Sequence, residues 1–531
     1  MAADVGRLCK RLGELKAARQ PHESVWRDCY DLTFPLRADG FDGQTLDAQQ
    51  GQTQKAKILD ATATDASRIL ASGLMSGLTP SNSRWFELDV DDQTDDERRF
   101  FDYAADLVWI NIHQSNFDAE AFEGSLDAVA AGWFALYVGE NRQEGGYAFE
   151  LWPLSGCYTT STRADGLIDT IYREYTLPAA AVLAQFGTAS ERTTKLAADK
   201  PDERVRLLRV IEPRPGKAGG RMARNMPFAS YTVEVEAKFP LRESGYHEFP
   251  VLSPRWQRIP NSAYGVGPVW DALPDIRMLN ELKGMQIAAA DMAIAGMYIA
   301  EDDGVLNPRT IKLGPRKIIV ASSVDSMKPL GSGSDFQLAE YMVNQLQASI
   351  RKTLMADQLQ PQDGPAMTAT EVHVRVELIR QLLGPIYGRF QAEYLRPLVE
   401  RCFGIAYRAG VLGQAPESLA SKEYAVKYVS PMARAQRLED VTAIERLYAA
   451  AAQMAKAKGD TSIFDHFNDG EALSIMGQGL GVPDRVMLTA DEVAEKQAAK
   501  QQAAQQAQQQ QMAQQMQMGA MDAAMKQQAA A

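Results

Sequence analysis

The sequence predicts an α+β protein that is mainly helical. Three observations carry this reading. Long stretches hold apolar residues at helical spacing, above all Phe336–Ala356, where Leu338, Met342, Leu346, Ile350 and Leu354 recur at steps of four with no Gly or Pro between them. Between Trp133 and Gln257, short β-type runs alternate with Gly/Pro punctuation. No segment repeats at a fixed period, so a solenoid is not expected.

At 531 residues the chain has room for about two to four domains and an ample core. Its 45% hydrophobic and 23% charged content are those of an ordinary globular protein. The net charge is −12. A protein that grips nucleic acid by its phosphates is usually basic, so any nucleic acid here is expected to pass by rather than be held. Cys9, Cys29, Cys157 and Cys402 are scattered, with no metal-ligand or redox spacing, which predicts free thiols in a reducing compartment. The first residues lack the apolar core of a signal peptide. The most apolar helix, Gly284–Ala300, carries Gln286 and Asp291 and falls short of a membrane span. Folding in a cytoplasm, with no membrane partner, is the expectation.

In chain order, Val5, Leu8, Leu12 and Leu15 predict a short amphipathic helix, followed by Trp26, Tyr30 and Phe34 up to Pro35. Residues 38–54 read as a Gly/Gln/Asp-rich loop. Ile58–Leu78 reads as a helix whose Ala, Ser and Gly let another helix approach closely. Trp85–Val90 reads as a strand and Asp91–Glu97 as an acidic helix start. Helices are predicted over Arg98–Gln114 and Ala119–Ala131. Trp133–Gly139 and Tyr147–Leu154 should pair around Gly145-Gly146. Further strands are expected over Cys157–Thr162, Leu167–Tyr175, Val205–Glu212, Tyr231–Phe239, Tyr246–Leu252 and Ser253–Gln257. A long helix spans Val269–Ile299 with Pro274 inside it. Leu306–Gly333 is a β-like insert between two antiparallel helices. Near the end, Ala425–Ser430 reads as a strand, and Ala433–Lys458, Asp469–Gly479 and Thr489–Lys500 read as helices. Residues 501–531 are Gln, Ala and Met with little else, which implies disorder or a helix that needs partners.

The chain is organised around Phe336–Ala409. After the helix Phe336–Ala356, the segment Asp357–Met367 holds two prolines, a glycine and several amides, which exclude continuous helix. Thr368-Ala369-Thr370-Glu371 matches a capping box and starts a long helix, which Gly384-Pro385 and Pro397 should kink without ending. Two readings stand: an ordinary buried helical hairpin, or a polar, proline-stiffened loop presented at a helix junction to something mobile.

Catalytic signatures are missing. Gly216-Lys217 lacks the rest of a phosphate loop, Gly265-Val266-Gly267 does not complete a dinucleotide fingerprint, and Gly477–Gly481 has the wrong spacing. No Gly-x-Ser-x-Gly elbow occurs. His22, His113, His247, His373 and His466 are isolated, and the cluster Asp91, Asp92, Asp95 and Asp96 reads as solvated charge more readily than as a cation site. No enzyme, cofactor or metal is expected.

Several segments, in order, resemble the head-to-tail connector, or portal, proteins of short-tailed, podovirus-type bacteriophages. They are Leu15–Glu23, Tyr30–Pro35, Asp65–Pro80 followed by Trp85-Phe86, Ser262–Pro268, Met367–Val372 and the Gln/Met-rich tail after Glu495. The resemblance covers nearly the whole chain. It implies a homo-oligomeric ring, usually a dodecamer, with a central channel at one capsid vertex of the virion, assembled in the host bacterial cytoplasm. By that likeness residues 1–268 form the wing, 269–300 the first stem helix, 301–335 the clip, 336–356 the second stem helix, 357–367 the tunnel loop, 368–409 the long kinked helix, 410–491 the crown and 492–531 a tail. Double-stranded DNA would pass through the channel. The implied partners are major capsid and scaffold proteins, the terminase large subunit transiently, and tail adaptors. Gln358, Gln360, Gln362, Asp363 and Met367 would line the constriction, with Arg351, Lys352 and Arg375 as nearby basic groups. Asp302, Asn307, Arg309, Lys312, Arg316 and Lys317 of the clip would dock partners. Family members can carry basic residues in the tunnel loop and this chain has none there, which argues against a charge-based grip. The rival expectations are another phage scaffold or tail adaptor, and a cytoplasmic hydrolase.

Overall fold

The structure, a computed structural model, describes residues 4–41, 48–82, 84–90, 94–141, 143–215, 222–295, 297–300, 327–330, 336–359, 384, 386–416, 418–419, 425–428, 431–458, 466–480, 496 and 498–499. Along the chain, helices α1 (Val5–Thr33), α2 (Ala48–Ala56) and α3 (Thr62–Leu78) precede strand β1 (Phe86–Asp89) and helices α4 (Asp95–Gln114) and α5 (Phe117–Ala130). Strands β2 (Leu136–Glu140), β3 (Tyr147–Leu151), β4 (Cys157–Thr160) and β5 (Thr170–Pro178) lead to helices α6 (Ala179–Phe186) and α7 (Glu191–Asp199). Strands β6 (Arg204–Pro213), β7 (Phe228–Glu234), β8 (Phe239–Tyr246), β9 (Val251–Leu252), β10 (Gln257–Arg258) and β11 (Gly265–Val266) follow. Then come α8 (Pro268–Ala295), β12 (Met297–Ala300), β13 (Met327–Leu330), α9 (Phe336–Thr353), α10 (Ala356–Leu359), a π-helical turn (Gln391–Leu395), α11 (Arg396–Arg408), β14 (Ala425–Tyr428), α12 (Pro431–Lys458) and α13 (Asp469–Leu480). The mainly helical α+β class is what the sequence predicts.

The chain divides into two units. One comprises residues 1–83 and 108–409, the other 84–107 and 410–531, and the division falls inside α4.

In the first unit the antiparallel sheet runs β4-β5-β6-β7-β8 and a smaller one runs β3-β2-β9. Side chains alternate across a strand, so Leu207 and Leu208 face opposite sides. Leu208 joins Tyr158, Tyr172, Val210 and Val233 against Val5, Leu8, Leu12 and Leu15 of α1. Leu207 joins Val182 of α6 and Leu241 on the other face. Helix α1 runs unbroken through Pro21, so the predicted short helix and the aromatic segment after it form one element. Its Arg19 is 2% exposed and donates to the Leu154 and Cys157 carbonyls at 2.9 and 2.8 Å. Farther along, buried Asp127 of α5 accepts from Tyr30 and Arg37, each at 2.8 Å.

Several predicted boundaries move for identifiable reasons. Tyr231–Phe239 is not one strand. It crosses the β7–β8 hairpin, where Lys238 takes a φ of +49°. Helix α3 starts at Thr62 rather than Ile58, with the Thr62 amide donating to Asp60 Oδ1 at 2.9 Å. Part of the expected loop at 38–54 is helix α2. The long helix from Val269 ends at Ala295, and Met297–Ala300 pairs antiparallel with Met327–Leu330. Most of the predicted β-like insert Leu306–Gly333, the capping box at Thr368–Glu371 and the tail 501–531 lie outside the described residues.

Gly132 ends α5 with a φ of +85°, and a Cβ there would meet the Val266 carbonyl carbon at 2.1 Å. Gly267 likewise lies against Val129 O. The glycines of Ser262–Pro268 thus let two backbone segments touch just before α8 begins.

In the second unit, β1 pairs antiparallel with β14, Phe86 opposite Tyr428. Thr94 and Glu97 form a reciprocal capping box at the start of α4. Helices α12 and α13 pack as a hairpin, with Tyr448 OH donating to Asp469 Oδ1 at 2.7 Å. Among the described residues, no helix is long and apolar enough to cross a membrane.

Candidate functional site: a half-bare helix pair

Helices α8 and α9 pack on each other, with Asp275 near the start of α8 bonded to Ser349 near the end of α9. One half of the pair is docked. Val269, Ala272, Leu273, Ile276 and Leu279 of α8 are buried, as are Val343 and Ile350 of α9 and Leu354 just past its end. Polar pins hold this half. Ser349 Oγ donates to Asp275 Oδ2 at 2.7 Å, and Gln347 Nε2 to Asp60 Oδ2 at 2.7 Å. Asn280 accepts from the Leu59 amide at 2.7 Å and donates to the Lys57 carbonyl at 3.0 Å. Burial pushes the Asp60 carboxyl up, but the hydrogen bonds it accepts from Thr62 and Gln347, with the Lys283 charge, outweigh that and hold it below its ordinary range.

Among the described residues, the other half is bare. Met285 is 65% and Tyr341 61% exposed, and Ile287 and Leu338 are exposed as well, as is Met278 on the outer side of the docked half. The predicted stripe on α9 is therefore buried only toward its C-terminal end, and Leu338 is a correction to it. Helical period says which residues share a face but not what covers that face.

Helix α9 ends at Thr353, three residues before the predicted Ala356, because Met355 takes a φ of +55°. The chain re-enters helix at once, so Asp357 and Gln358 belong to α10 rather than to an open loop, and the Gln358 amide donates to Met355 O at 3.2 Å. Arg351 and Lys352 are exposed in the last turn of α9, and Gln358 is exposed just beyond. Gln360, Gln362, Asp363, Met367 and Arg375 lie outside the described residues. So do Asp302, Asn307, Arg309, Lys312, Arg316 and Lys317.

A second feature fixes the long helix after this stretch. Pro397 has no amide to offer the carbonyl four residues earlier, that of Glu393, and the widened π-turn Gln391–Leu395 falls there. Glu393 then reaches Arg255. Its carboxylate accepts from the Arg255 backbone amide at 3.0 Å, from Nε at 3.1 Å and from Nη2 at 2.6 Å. The two side chains are 1% and 9% exposed. No sequence signal links these positions, which lie 138 residues apart.

Catalytic chemistry finds no support in the cavity of about 430 Å³ at the start of α8, lined by His22, Trp26, Cys29, Arg258, Trp270 and Asp271 among others. Burial pushes the Cys29 thiol up to about 12 and lowers the His22 imidazole, so the thiol is inert at neutral pH. His22 bonds Ser262 at 3.3 Å and stacks on Trp26, and His113 bonds Asp118 at 2.9 Å. All four cysteines are free. Among the described residues, no group of three or more His, Cys, Asp or Glu could hold a metal ion.

Grouped apolar side chains exposed on a docked and pinned helix pair mark a surface suited to contact with another molecule. The sequence model of the bacteriophage head to tail connecting protein family matches residues 5–488, and the chain belongs to that family. It is accordingly a connector at the head–tail junction of a phage particle. The chain is 26% identical over 520 residues to the portal protein of Salmonella phage epsilon15, covering 92% of this chain and 89% of that protein. It is 27% identical over 517 residues, with the same coverage, to a probable portal protein of Bordetella phage BPP-1. Over 224 residues it is 26% identical to the portal protein of Enterobacteria phage T3, 40% of each chain. Among solved structures, the neck of an empty gene transfer agent (GTA) particle computed with C6 symmetry matches at a TM-score of 0.37 and 14% identity, covering 76% of this chain and 89% of that one. The virion of a native GTA particle matches at 0.35 and 13%, covering 78% and 88%. At those scores the structural likeness adds nothing to the argument.

Proposed function

We propose that this chain is the portal of its phage: a closed ring of copies, a dodecamer, whose axial channel carries double-stranded DNA in packaging and ejection. The carrying observation is the bare half of the α8–α9 pair. Met285, Ile287, Leu338 and Tyr341 are apolar groups that a solitary chain gains nothing by exposing. Copies packed side by side through these helices would cover them, and a rotation that closes gives a ring. In this reading residues 269–300 and 336–356 are the stem and 301–335 the clip, where Asp302, Asn307, Arg309, Lys312, Arg316 and Lys317 meet tail adaptors and, transiently, the terminase. Capsid and scaffold proteins would contact the wing (1–268). Residues 368–409 join stem to wing, and 410–491 form the crown.

Gln358, Gln360, Gln362 and Asp363, with Met367, would then form a sliding surface at the constriction. Uncharged amides release few counterions from DNA, so contact there stays weak and reversible. Arg351, Lys352 and Arg375 would supply the little positive charge nearby. Electron microscopy of the purified full chain tests the reading. Closed rings with an axial hole are expected, whereas a monomer under native conditions overturns it. A scaffold or tail adaptor assembling through the Gln/Ala/Met tail is told apart by truncation after Glu495, which a portal ring survives.

A further inference from the structure

The two sheets of the first unit meet α11 through a chain of guanidinium and aromatic groups that the connector role does not use. Arg173 of β5 and Arg209 of β6 are direct cross-strand partners. Like charges so placed repel. The Trp152 ring lies near both, with Arg173 4.6 Å and Arg209 5.5 Å from its centroid. Arg173 has a carboxylate partner, Glu150, at 2.8 Å. Among the described residues Arg209 has none. It sits 4.5 Å from the Tyr137 ring centroid, and its Nη2 donates to Tyr246 OH at 2.5 Å.

Tyr246 is where the lines converge. Its oxygen takes the Arg209 bond and lies 3.1 Å from Tyr137 OH. Arg401 of α11 stands 5.2 Å from its ring centroid. The nearby carboxylate, Glu248, is engaged elsewhere: it accepts from Arg401 at 2.8 Å and from Arg408 at 2.5 and 2.8 Å.

We propose that Tyr246 is an ionisable latch: its phenolate, receiving from Arg209 and Tyr137, supplies the negative charge that Arg209, unlike its cross-strand partner Arg173, lacks, and binds both sheets to α11. The groups facing it are Arg209 from β6, Tyr137 from β2 and Arg401 from α11, with Glu248 behind Arg401. Arg173 of β5 stands 4.6 Å from the Trp152 centroid and 5.1 Å from that of Tyr175, and His247 follows Tyr246 in the chain. Burial opposes ionisation of Tyr246. The Arg209 charge and the bonds from Tyr137 and Arg209 outweigh it, holding this phenol below its usual 10, while burial and its neighbour push Tyr137 up to about 12.

An acid with a depressed folded value stabilises above its unfolded value and loses that contribution as pH falls through the folded value. The latch therefore tightens as pH rises toward 10 and is released below the folded value.

Absorbance at 295 nm of the full chain, titrated upward from pH 7, tests this. One step of about one-eighteenth of the total tyrosine change, from 18 tyrosines, is expected before pH 10. Tyr246→Phe should abolish the step, and Tyr137→Phe, which removes one donor, should move it to higher pH without abolishing it. Wild type should gain melting temperature relative to Tyr246→Phe as pH rises through the step. Absence of an early step in wild type overturns the proposal. So does its persistence in Tyr246→Phe, or, should that variant not fold, an unmoved step in Tyr137→Phe.

Discussion

The Arg255–Glu393 pair shows what a single buried contact contributes here. Removing one partner leaves a charge in a dry site, which costs about 3–5 kcal/mol. Glu393→Ala should therefore lower the denaturation midpoint of the full chain strongly. The double replacement Arg255→Met, Glu393→Leu should recover most of the loss, because neither charge is then stranded. Gly132→Ala is a second test at this scale. It places a methyl group onto the Val266 backbone, and a loss of at least about 2 kcal/mol is expected in urea unfolding. Gly132 was legible in the sequence as a helix stop, because a glycine after an apolar helix is a local signal. Arg255, Glu393, Arg209 and Tyr246 were not, because nothing in a linear pattern records which strand will lie beside which helix.

At the scale of the element, local pattern carried far. Gly145 and Gly146, both at a φ of +82°, mark the β2–β3 hairpin as their spacing predicts. The β7–β8 hairpin was missed because apolar Val233 and Val235 continue the alternation into the turn, and Lys238 is not a residue that announces a positive φ. Of the candidate site, Arg351 and Lys352 stand exposed in the last turn of α9, away from the apolar stripe as the helical pattern predicts, whereas Gln358, read as loop, lies in α10. What pins that end, Asp60 and Asp275, was not readable. The bare half of the pair makes its own prediction. Met285→Glu with Leu338→Glu puts charge on faces the assembled state must cover. Sedimentation should shift from ring to monomer, while far-UV circular dichroism of the variant stays unchanged.

For the whole molecule, the net charge of −12 sets the terms of any dealing with DNA. A protein making six to ten phosphate contacts loses roughly a thousandfold or more in affinity between 50 and 200 mM salt. This chain should lose less than about tenfold over that range in a filter-binding assay, because its contacts are few and mostly uncharged. A steep slope would show that Arg351, Lys352 and Arg375 grip the backbone after all.

The pairing of Phe86–Asp89 with Ala425–Tyr428 also has a temporal side. Its two halves leave the ribosome more than three hundred residues apart, so the first strand must wait, edge unsatisfied, until most of the polypeptide has been synthesised. A prematurely released product ending before Ala425 retains that open edge, and should surface in pelleting assays as aggregate rather than join a growing vertex. Completion of translation thus acts as a checkpoint on which copies are fit to be built into a particle.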